Sequence, residues 1–362
     1  MASIFKFFKQ SVFPSYLGVD IGTTSIKIAE VKMGKQLPEV VNYGFLESSG
    51  YLARANQALQ TSTLKLFEKE AVELLKVVVR EMKPRTTDAL ASLPPFLAFT
   101  TTLDFPDMSP GDLEKAMVFQ AKQYIPLPIS EVAIDWMKVG EFKDDKGFQH
   151  NRILLISVPQ EQIKKYQRMF KLAGLNLRSL ELESLSLARV FGGVDPTPTI
   201  VIDIGSRSTN VVFLEKGGLK FNAQSDFAGS SLTQVLATSL GINPLRAEEL
   251  KRERGIVATG PNYELSTIML PFLDAIINEV RKALYKYSSQ FPEAPKIERA
   301  ILSGGGANLL GIEKYVAREL GVPVVKASPF SKFEYQSAME PLVPELNPLM
   351  SVALGLTLKE FI

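Results

Sequence analysis

The fold of this chain is decided by the stretch Gly18-Val19-Asp20-Ile21-Gly22-Thr23-Thr24-Ser25-Ile26-Lys27-Ile28-Ala29. An apolar run enters Asp-x-Gly, turns through small hydroxyl residues and leaves as a second apolar run, which predicts two strands joined by a tight turn. A second copy reads Val201-Ile202-Asp203-Ile204-Gly205-Ser206-Arg207-Ser208-Thr209-Asn210-Val211-Val212. Because Asp, Ile, Gly and hydroxyl residues recur at matching offsets, we predict two similar hairpins that face each other.

These hairpins have the chemistry of a phosphate site. Turns rich in glycine expose backbone N–H groups to anions, and Gly22 and Gly205 let phosphate oxygens come close. A carboxylate at a strand end, such as Asp20 or Asp203, can hold the waters of a Mg²⁺ ion beside those phosphates. The sequence has neither a Walker A run nor a Gly-x-Gly-x-x-Gly that opens a helix after a strand. We therefore predict that the two hairpins clamp a nucleotide between them.

A third glycine stretch, Gly304-Gly305-Gly306, follows the apolar run Ala300-Ile301-Leu302. A strand that ends in glycines lets a flat ligand approach the backbone, because no side chain stands in the way. We interpret this stretch as the place where a nucleotide base lies.

Composition excludes several classes of protein. At 362 residues the chain suits two lobes with an insertion. A net charge of +2 gives no reason to expect a nucleic acid partner. The absence of cysteine excludes thiolate metal sites and a cysteine nucleophile, and we interpret the single histidine, His150, as a surface residue.

The N-terminal segment is basic and aromatic, Met1-Ala2-Ser3-Ile4-Phe5-Lys6-Phe7-Phe8-Lys9-Gln10-Ser11-Val12-Phe13-Pro14. Lys6 and Lys9 interrupt its apolar residues, so it makes a poor signal peptide. We expect this segment either to bind weakly to the cytoplasmic surface of the membrane or to pack as a tail on its own domain. No apolar run in the chain reaches the about 18–20 residues of a membrane span.

The order of predicted elements indicates an interrupted first lobe. Pro94-Pro95 ends the strand predicted at Asp88–Leu93, and a β-α-β-β-α block follows up to Gly174, which suits the end of a helix. In that block Phe96–Phe105 is the predicted first strand, and Ser109 is the predicted N-cap of a helix at 110–124. We also predict a helix at 309–320, after the third glycine stretch. The expected divisions are an N-terminal segment at 1–15, a first lobe at 16–95 and 175–198, an insert at 96–174, a second lobe at 199–347 with a smaller subdomain at about 222–298, and a terminal helix at 348–362 that returns to the first lobe.

The three glycine motifs, in this order, resemble the nucleotide motifs of the actin, Hsp70 and FtsA ATPase superfamily. Gly18–Ile28 is similar to its first phosphate motif, Val201–Val212 to its second and Ile301–Asn308 to its adenosine motif. The resemblance implies an α/β fold in which two lobes of RNase H-like topology enclose a cleft for ATP and Mg²⁺.

The same resemblance assigns roles to individual residues. It implies Asp20 and Asp203 near Mg²⁺ and Lys27 on a phosphate, with Glu183 near the attacking water and Asp203 as the second catalytic candidate. Glu248 and Lys251 match the helix that contacts ribose and base, although by themselves they read as a solvated helix face. The remaining nucleotide-binding candidates from the motifs are Gly22, Thr23, Thr24, Ser25, Gly205, Ser206, Ser208, Gly304, Gly305, Gly306 and Asn308.

The insert resembles the SHS2-like insert of FtsA and of the PilM family of type IV pilus assembly proteins. The runs Phe105-Pro106-Asp107-Met108, Tyr124-Ile125-Pro126 and Val352-Ala353-Leu354-Gly355-Leu356 favour PilM. That resemblance implies a cytoplasmic scaffold under the inner membrane, which binds ATP and holds the N-terminal cytoplasmic segment of PilN in a groove near the insert. The PilN/PilO complex would tether it to the membrane, and pilus motor ATPases are further partners to expect.

Two other functions stay open. The first is a filament-forming division protein like FtsA, although FtsA usually continues into a membrane-binding helix and this chain stops at Ile362. The second is a small-molecule kinase of the same superfamily, although we recognise no acceptor motif. The scaffold interpretation predicts slow or no ATP hydrolysis, since bound nucleotide that closes two lobes can act as a conformational clamp.

Overall fold

The computed structural model describes residues 14–47, 64–256 and 263–361, so most of the predicted N-terminal segment lies outside the described residues. The described strands are β1 (Ser15–Ile21), β2 (Ser25–Met33), β3 (Pro38–Glu47), β4 (Asp88–Leu93), β5 (Phe99–Pro106), β6 (Val132–Lys143), β7 (Gln149–Pro159), β8 (Asn176–Leu182), β9 (Thr199–Ile204), β10 (Thr209–Glu215), β11 (Gly218–Ser225), β12 (Arg299–Ser303), β13 (Val324–Lys326) and β14 (Glu334–Tyr335). The described helices are α1 (Leu64–Met82), α2 (Pro110–Tyr124), α3 (Gln160–Leu172), α4 (Glu183–Phe191), α5 (Gly229–Leu240), α6 (Pro244–Arg254), α7 (Tyr263–Gln290), α8 (Ile312–Leu320), α9 (Val343–Leu349) and α10 (Ser351–Leu358).

The two large sheets share the order of five strands, and the first sheet has β14 as an additional edge strand. The first is β14-β3-β2-β1-β4-β8 and the second is β11-β10-β9-β12-β13. In the first sheet β1, β2 and β3 pair antiparallel, while β1, β4 and β8 pair parallel. In the second sheet β9, β10 and β11 pair antiparallel, while β9, β12 and β13 pair parallel. The predicted pair of lobes with RNase H-like topology is therefore confirmed.

The central strands of both sheets lie in the core. Every residue of β9 is buried, as expected of a central strand with helices on both faces. In the first lobe, α10 packs on β1 so closely that a Cβ on Gly18 would lie 1.9 Å from the carbonyl oxygen of Ala353. On its other side, a Cβ on Gly355 would lie 2.2 Å from the carbonyl oxygen of Ser186 in α4. Two glycines thus let α10 fit between β1 and α4.

The third sheet, β5-β7-β6, belongs to the insert. With α2 and α3 it has the predicted β-α-β-β-α order, and Ser109 caps α2 as predicted, since its Oγ accepts a hydrogen bond from the Asp112 N–H at 3.2 Å. One face of the sheet packs with α2 in a small core that contains Leu103, Met117 and Leu155. Residues of the other face and of α3 join the main core, so the insert packs firmly on the rest of the molecule.

Three local predictions were wrong. The first insert strand begins at Phe99 rather than Phe96, because Pro95 starts a single 3-10 turn. The terminal helix predicted at 348–362 is shorter, since α10 spans only Ser351–Leu358, and α9 precedes it in a segment for which no helix was predicted. The helix predicted at 309–320 starts at Ile312, after Gly311 with a φ of 88°.

His150 is partly buried rather than a free surface residue. Its ring stacks on Phe142 with 5.3 Å between the ring centres, and its Nε2 lies 3.2 Å from Asp144 Oδ2. It therefore forms part of the β6–β7 hairpin structure. Within residues 14–47, 64–256 and 263–361, we find no helix whose length and apolar content would let it cross a membrane.

Candidate functional site

The two glycine turns have the same backbone closure. The Gly22 N–H donates to the Ser25 carbonyl oxygen at 2.9 Å, and the Gly205 N–H donates to the Ser208 carbonyl oxygen at 2.9 Å. A Cβ would crowd that acceptor oxygen in both turns, at 3.1 Å from Gly22 and at 2.9 Å from Gly205. The sequence repeat is therefore also a repeat in three dimensions, and both turns leave little room for a side chain at the glycine.

Asp20 anchors the first turn. It lies one residue before the end of β1, directly opposite Lys27 of β2, and Lys27 Nζ lies 2.9 Å from Asp20 Oδ2. The other carboxylate oxygen accepts a hydrogen bond of 2.8 Å from the hydroxyl of Ser92, which is buried in β4. Burial lowers the pKa of Lys27, but the charge of Asp20 and its hydrogen bond more than compensate, so this pKa is raised. Lys27 is thus held in its charged form.

Asp203 holds the matching place in the second lobe. It is only 9% exposed and lies opposite Asn210 of β10 and beside Ser303 of β12. Burial raises the pKa of the Asp203 carboxyl to about 6, although a hydrogen bond with Ser303 and the charge of Lys27 act in the other direction. The two lobes therefore place one carboxylate each on the same small volume, and Lys27 interacts with both.

Glu183, the first residue of α4, completes this acidic cluster. The side-chain amide of Asn210 donates a hydrogen bond to Glu183 Oε2. Burial, together with the negative charges of Asp20 and Asp203, raises the pKa of Glu183 to about 8. Three carboxyl groups and one ammonium group thus share the site, and this excess of negative charge is the kind of environment that a divalent cation stabilises.

The third glycine stretch packs on the end of β9. Gly304 has a φ of 77°, and a Cβ there would lie 2.5 Å from the Ile204 carbonyl oxygen and 3.0 Å from Asp203 Oδ1. A Cβ on Gly306 would lie 2.4 Å from the Ile204 side chain. Because β9 and β12 are parallel neighbours, their carboxyl ends meet at one edge of the sheet. The structure thus brings the glycines of 304–306 to the second turn, as the motif order predicts.

Glu248 and Lys251 also lie beside the second turn. The first residues of α5 are hydrogen-bonded to the second glycine turn, since the N–H groups of Gly229 and Ser230 donate to the carbonyls of residues 205 and 206. Lys251 Nζ donates to the Gly229 carbonyl at 3.1 Å and lies 2.6 Å from Glu248 Oε2. These two side chains are held in a partly buried network and do not form a solvated helix face.

Most of the remaining nucleotide-binding candidates lie at the glycine turns, but one of them does not. The hydroxyl residues of the motifs lie on the two turns and stay partly exposed: Thr23, Thr24, Ser25, Ser206 and Ser208. Gly305 is exposed next to them. The amide of Asn308, in contrast, donates to the Glu345 carbonyl in α9 at 3.1 Å, which directs it away from the acidic cluster.

The motifs did not indicate three polar residues that position the carboxylates. Ser92 binds Asp20, Asn210 binds Glu183, and Ser303 binds Asp203. A signal existed in each case, because each is a polar residue directly beside the apolar run of its strand. Assigning its partner needs the strand pairing, which sequence periodicity does not supply.

A bound Mg²⁺ is compatible with these donors. The described part of the chain has no group of three or more His, Cys, Asp or Glu side chains arranged to hold a metal ion by themselves. Mg²⁺ usually takes only one or two carboxylates and completes its shell with waters and phosphate oxygens. Asp20 and Asp203 would serve as that pair.

Comparison with solved structures confirms the fold. The structure titled PilM-PilN type IV pilus biogenesis complex matches with a TM-score of 0.79 and 22% identity, covering 96% of this chain and 99% of that chain. MreB5 of Spiroplasma citri bound to ADP matches with a TM-score of 0.55 and 14% identity, covering 96% of each chain. At these identities the likeness shows the fold alone, which is the predicted actin-like fold.

Sequence comparison gives a distant relative and a family. Cell division protein FtsA of Enterococcus hirae is 22% identical over 348 residues, which span 85% of this chain and 77% of the relative. The model of the family described as type IV pilus assembly protein PilM matches residues 18–361, nearly the whole chain. The chain therefore belongs to the PilM family of type IV pilus assembly proteins.

Proposed function

We propose that this protein binds ATP with Mg²⁺ between its two lobes and serves in pilus assembly as a scaffold for PilN. The observation that carries the proposal is the pair of identically closed turns, at Gly22 and Gly205, around one acidic cluster. Two solved structures with this fold are of an MreB5 bound to ADP and to AMPPNP. The match to a PilM-PilN complex, together with family membership, supports PilN as the partner.

In this proposal each lobe supplies one half of the phosphate site. The backbone N–H groups of the two turns hold the phosphates, and Lys27 reaches them from β2. Asp20 and Asp203 hold the waters of Mg²⁺, and the positive charge of the ion balances the excess negative charge of the acidic cluster. Gly304–Gly306 give the base access to the backbone, while Glu248 and Lys251 hold the ribose.

The same cluster supports slow or no hydrolysis. A general base must bind the attacking water, and Glu183 is the candidate for that role. Its carboxyl already accepts a hydrogen bond from Asn210, and its raised pKa favours the protonated form at neutral pH. Such a group is a poor base until a bound nucleotide and cation change its surroundings. We infer that ATP acts mainly by holding the two lobes together.

The N-terminal cytoplasmic segment of PilN would bind near the insert and keep the protein at the inner face of the cytoplasmic membrane. An extended peptide needs apolar pockets and free backbone groups, and the insert borders both lobes. The PilN/PilO complex would then provide the membrane attachment, and pilus motor ATPases would be further partners.

Calorimetry with Mg²⁺ and ATP tests the nucleotide site. We expect Asp20→Asn to weaken binding at least about tenfold, because it removes a charge that both Lys27 and the metal require. Asp145→Asn is the matched control, since Asp145 is exposed in the β6–β7 hairpin turn of the insert. Equal affinity of wild type and Asp20→Asn, with both folded by circular dichroism, would contradict the assignment of the cleft.

The similarity to FtsA supports one alternative, a filament-forming protein. Pelleting with ATP and lipid vesicles separates the two functions. A scaffold stays in the supernatant unless PilN is present, whereas sedimentation of long polymers without PilN would favour the filament.

A further inference from the structure

The second glycine turn differs from the first by one charged residue. The turns Gly22–Ser25 and Gly205–Ser208 close with the same hydrogen bond, from the N–H of the first residue to the carbonyl oxygen of the fourth, at 2.9 Å in each. The third residue is Thr24 in the first turn and Arg207 in the second. Arg207 is the only charged residue in either turn. The second lobe therefore has an arginine at the turn position where the first lobe has a threonine.

The closure of the turn does not require an arginine. Among the described residues other than glycine, only Lys83 and Lys216 have a positive φ, so the backbone of Arg207 has an ordinary conformation. The first residues of α5 hold the turn through two hydrogen bonds to its backbone carbonyls, at 3.0 and 2.8 Å. A small hydroxyl residue suffices for the same closure in the first turn. The long, partly buried side chain of Arg207 is therefore not needed to form the turn itself.

The two lysines beside the glycine turns are already paired with carboxylates. Lys27 Nζ lies 2.9 Å from Asp20 Oδ2, and Lys251 Nζ lies 2.6 Å from Glu248 Oε2. Lys27 also interacts with the two other carboxyl groups of the acidic cluster. The phosphates of a nucleotide bring further negative charge to this place, and one Mg²⁺ ion offsets only part of it. A positive group carried by the phosphate turn would therefore stabilise the bound nucleotide.

We propose that Arg207 binds the terminal phosphate of the nucleotide and makes the site prefer a nucleoside triphosphate to a diphosphate. The proposal rests on the nucleotide site proposed above and adds the residue that distinguishes the two ligands. The backbone N–H groups of the turn reach only phosphates that touch the turn, whereas the arginine side chain extends beyond them. A guanidinium group suits this role, because it stays charged and can donate two parallel hydrogen bonds to phosphate oxygens.

Calorimetry with Mg²⁺ and either ATP or ADP tests the proposal. The test variant is Arg207→Thr, because the first turn has a threonine at this position and closes in the same way. We expect the ATP affinity to fall about tenfold or more and the ADP affinity by less than about threefold, since a charge-assisted hydrogen bond to the terminal phosphate is lost. Arg207→Lys keeps the charge and should recover part of the lost ATP affinity. Arg178→Ala is the control, because Arg178 is exposed in β8, and it should bind both nucleotides like wild type.

The outcomes separate this proposal from the assignment of the nucleotide site. If Arg207→Thr binds ATP like wild type, or loses ATP and ADP affinity by the same factor, the role of Arg207 is overturned while the nucleotide site stands. If Arg207→Lys recovers no ATP affinity, the role is also overturned, because the loss is then not one of charge. If wild type binds neither nucleotide, both proposals fail. Circular dichroism shows whether the variants are folded, and Arg207→Gln replaces Arg207→Thr in the same comparison if the latter does not fold.

Discussion

The guanidinium carbon of Arg152 lies 4.8 Å from the ring centre of Phe291, and this contact joins the insert to the second lobe. Arg152 belongs to β7 of the insert, while Phe291 follows α7. On its other side the guanidinium lies 4.5 Å from the ring of Phe142, and Asp104 holds it in two hydrogen bonds of 2.8 and 3.1 Å. The insert interrupts the first lobe in sequence, yet it is tied to the second lobe in space.

Replacing Arg152 should therefore release the insert from the second lobe. We expect Arg152→Ala to lower the free energy of unfolding by about 2 kcal/mol, because the largely buried Arg152 side chain loses its ion pair with the more exposed Asp104 and two ring contacts together. Urea unfolding measures this change. Limited proteolysis should also cut the insert faster.

Arg178→Ala is the control for that variant. Arg178 is exposed in β8 and has no ion pair in the described ranges, so its loss should change the unfolding free energy by less than about 0.5 kcal/mol. Equal stability of the two variants would show that the contact with Phe291 contributes nothing.

A second contact between the lobes should act on nucleotide exchange. Arg252 of α6 makes two hydrogen bonds to Glu47 at the end of β3, at 2.7 and 3.1 Å. Both side chains are exposed, so Glu47→Gln should change stability by less than about 1 kcal/mol. In stopped flow we expect a fluorescent ATP analogue to dissociate faster from Glu47→Gln than from wild type, because the lobes of the variant can separate without breaking this ion pair. Glu81→Gln is the control, because it removes an exposed ion pair within α1 and should leave the dissociation rate unchanged. A wild-type dissociation rate for Glu47→Gln would show that the contact between Arg252 and Glu47 does not restrain the lobes.

Glu183 should make the nucleotide-free protein sensitive to pH. Its pKa is raised from 4.5 to about 8 in the folded protein. Between these values the unfolded chain loses the proton while the folded protein keeps it, so stability falls as pH rises. As the pH rises from 5 to 8, the wild type should therefore lose stability relative to Glu183→Gln, by about 1.4 kcal/mol for each unit of pKa difference.

Urea unfolding at both pH values, in EDTA and without nucleotide, measures that difference. Glu131→Gln is the control, because Glu131 is exposed in the insert and its replacement should show no such trend. Parallel pH profiles for wild type and Glu183→Gln would mean that the carboxyl is ionised in the folded protein.

Two glycine substitutions should have opposite effects on stability. Gly18→Ala places a Cβ 1.9 Å from the Ala353 carbonyl oxygen, and backbone atoms on both sides cannot move easily, so we expect a loss of at least about 3 kcal/mol. Gly111→Ala, in the exposed first turn of α2, meets nothing within 4 Å and should be neutral or stabilising by about 0.5–1 kcal/mol. Thermal melts of the soluble fractions compare them. Similar melting temperatures would show that α10 can move away from β1.

The repeated Asp-x-Gly motifs, through their resemblance to the nucleotide motifs of the actin, Hsp70 and FtsA superfamily, were enough to predict the two-lobed fold. Each motif is local, because an apolar run, a glycine and hydroxyl residues determine a strand, a turn and a second strand within twelve positions. The limits of α2 followed in the same way from Ser109 and Pro110. Local backbone sterics and capping act between neighbours in sequence, so they can be recognised without a structure.

Only the tertiary structure decided which side chains meet. Asp20, Glu183 and Asp203 come from separate parts of the chain, and the raised pKa values of Glu183 and Asp203 arise from burial and from charge at short range. The partners Ser92 and Asn210 depend on strand register, which is set by the packing of whole sheets. The sequence by itself thus determined the two lobes and their glycine turns, whereas the acidic cluster and the attachment of the insert depend on long-range packing that no local pattern encodes.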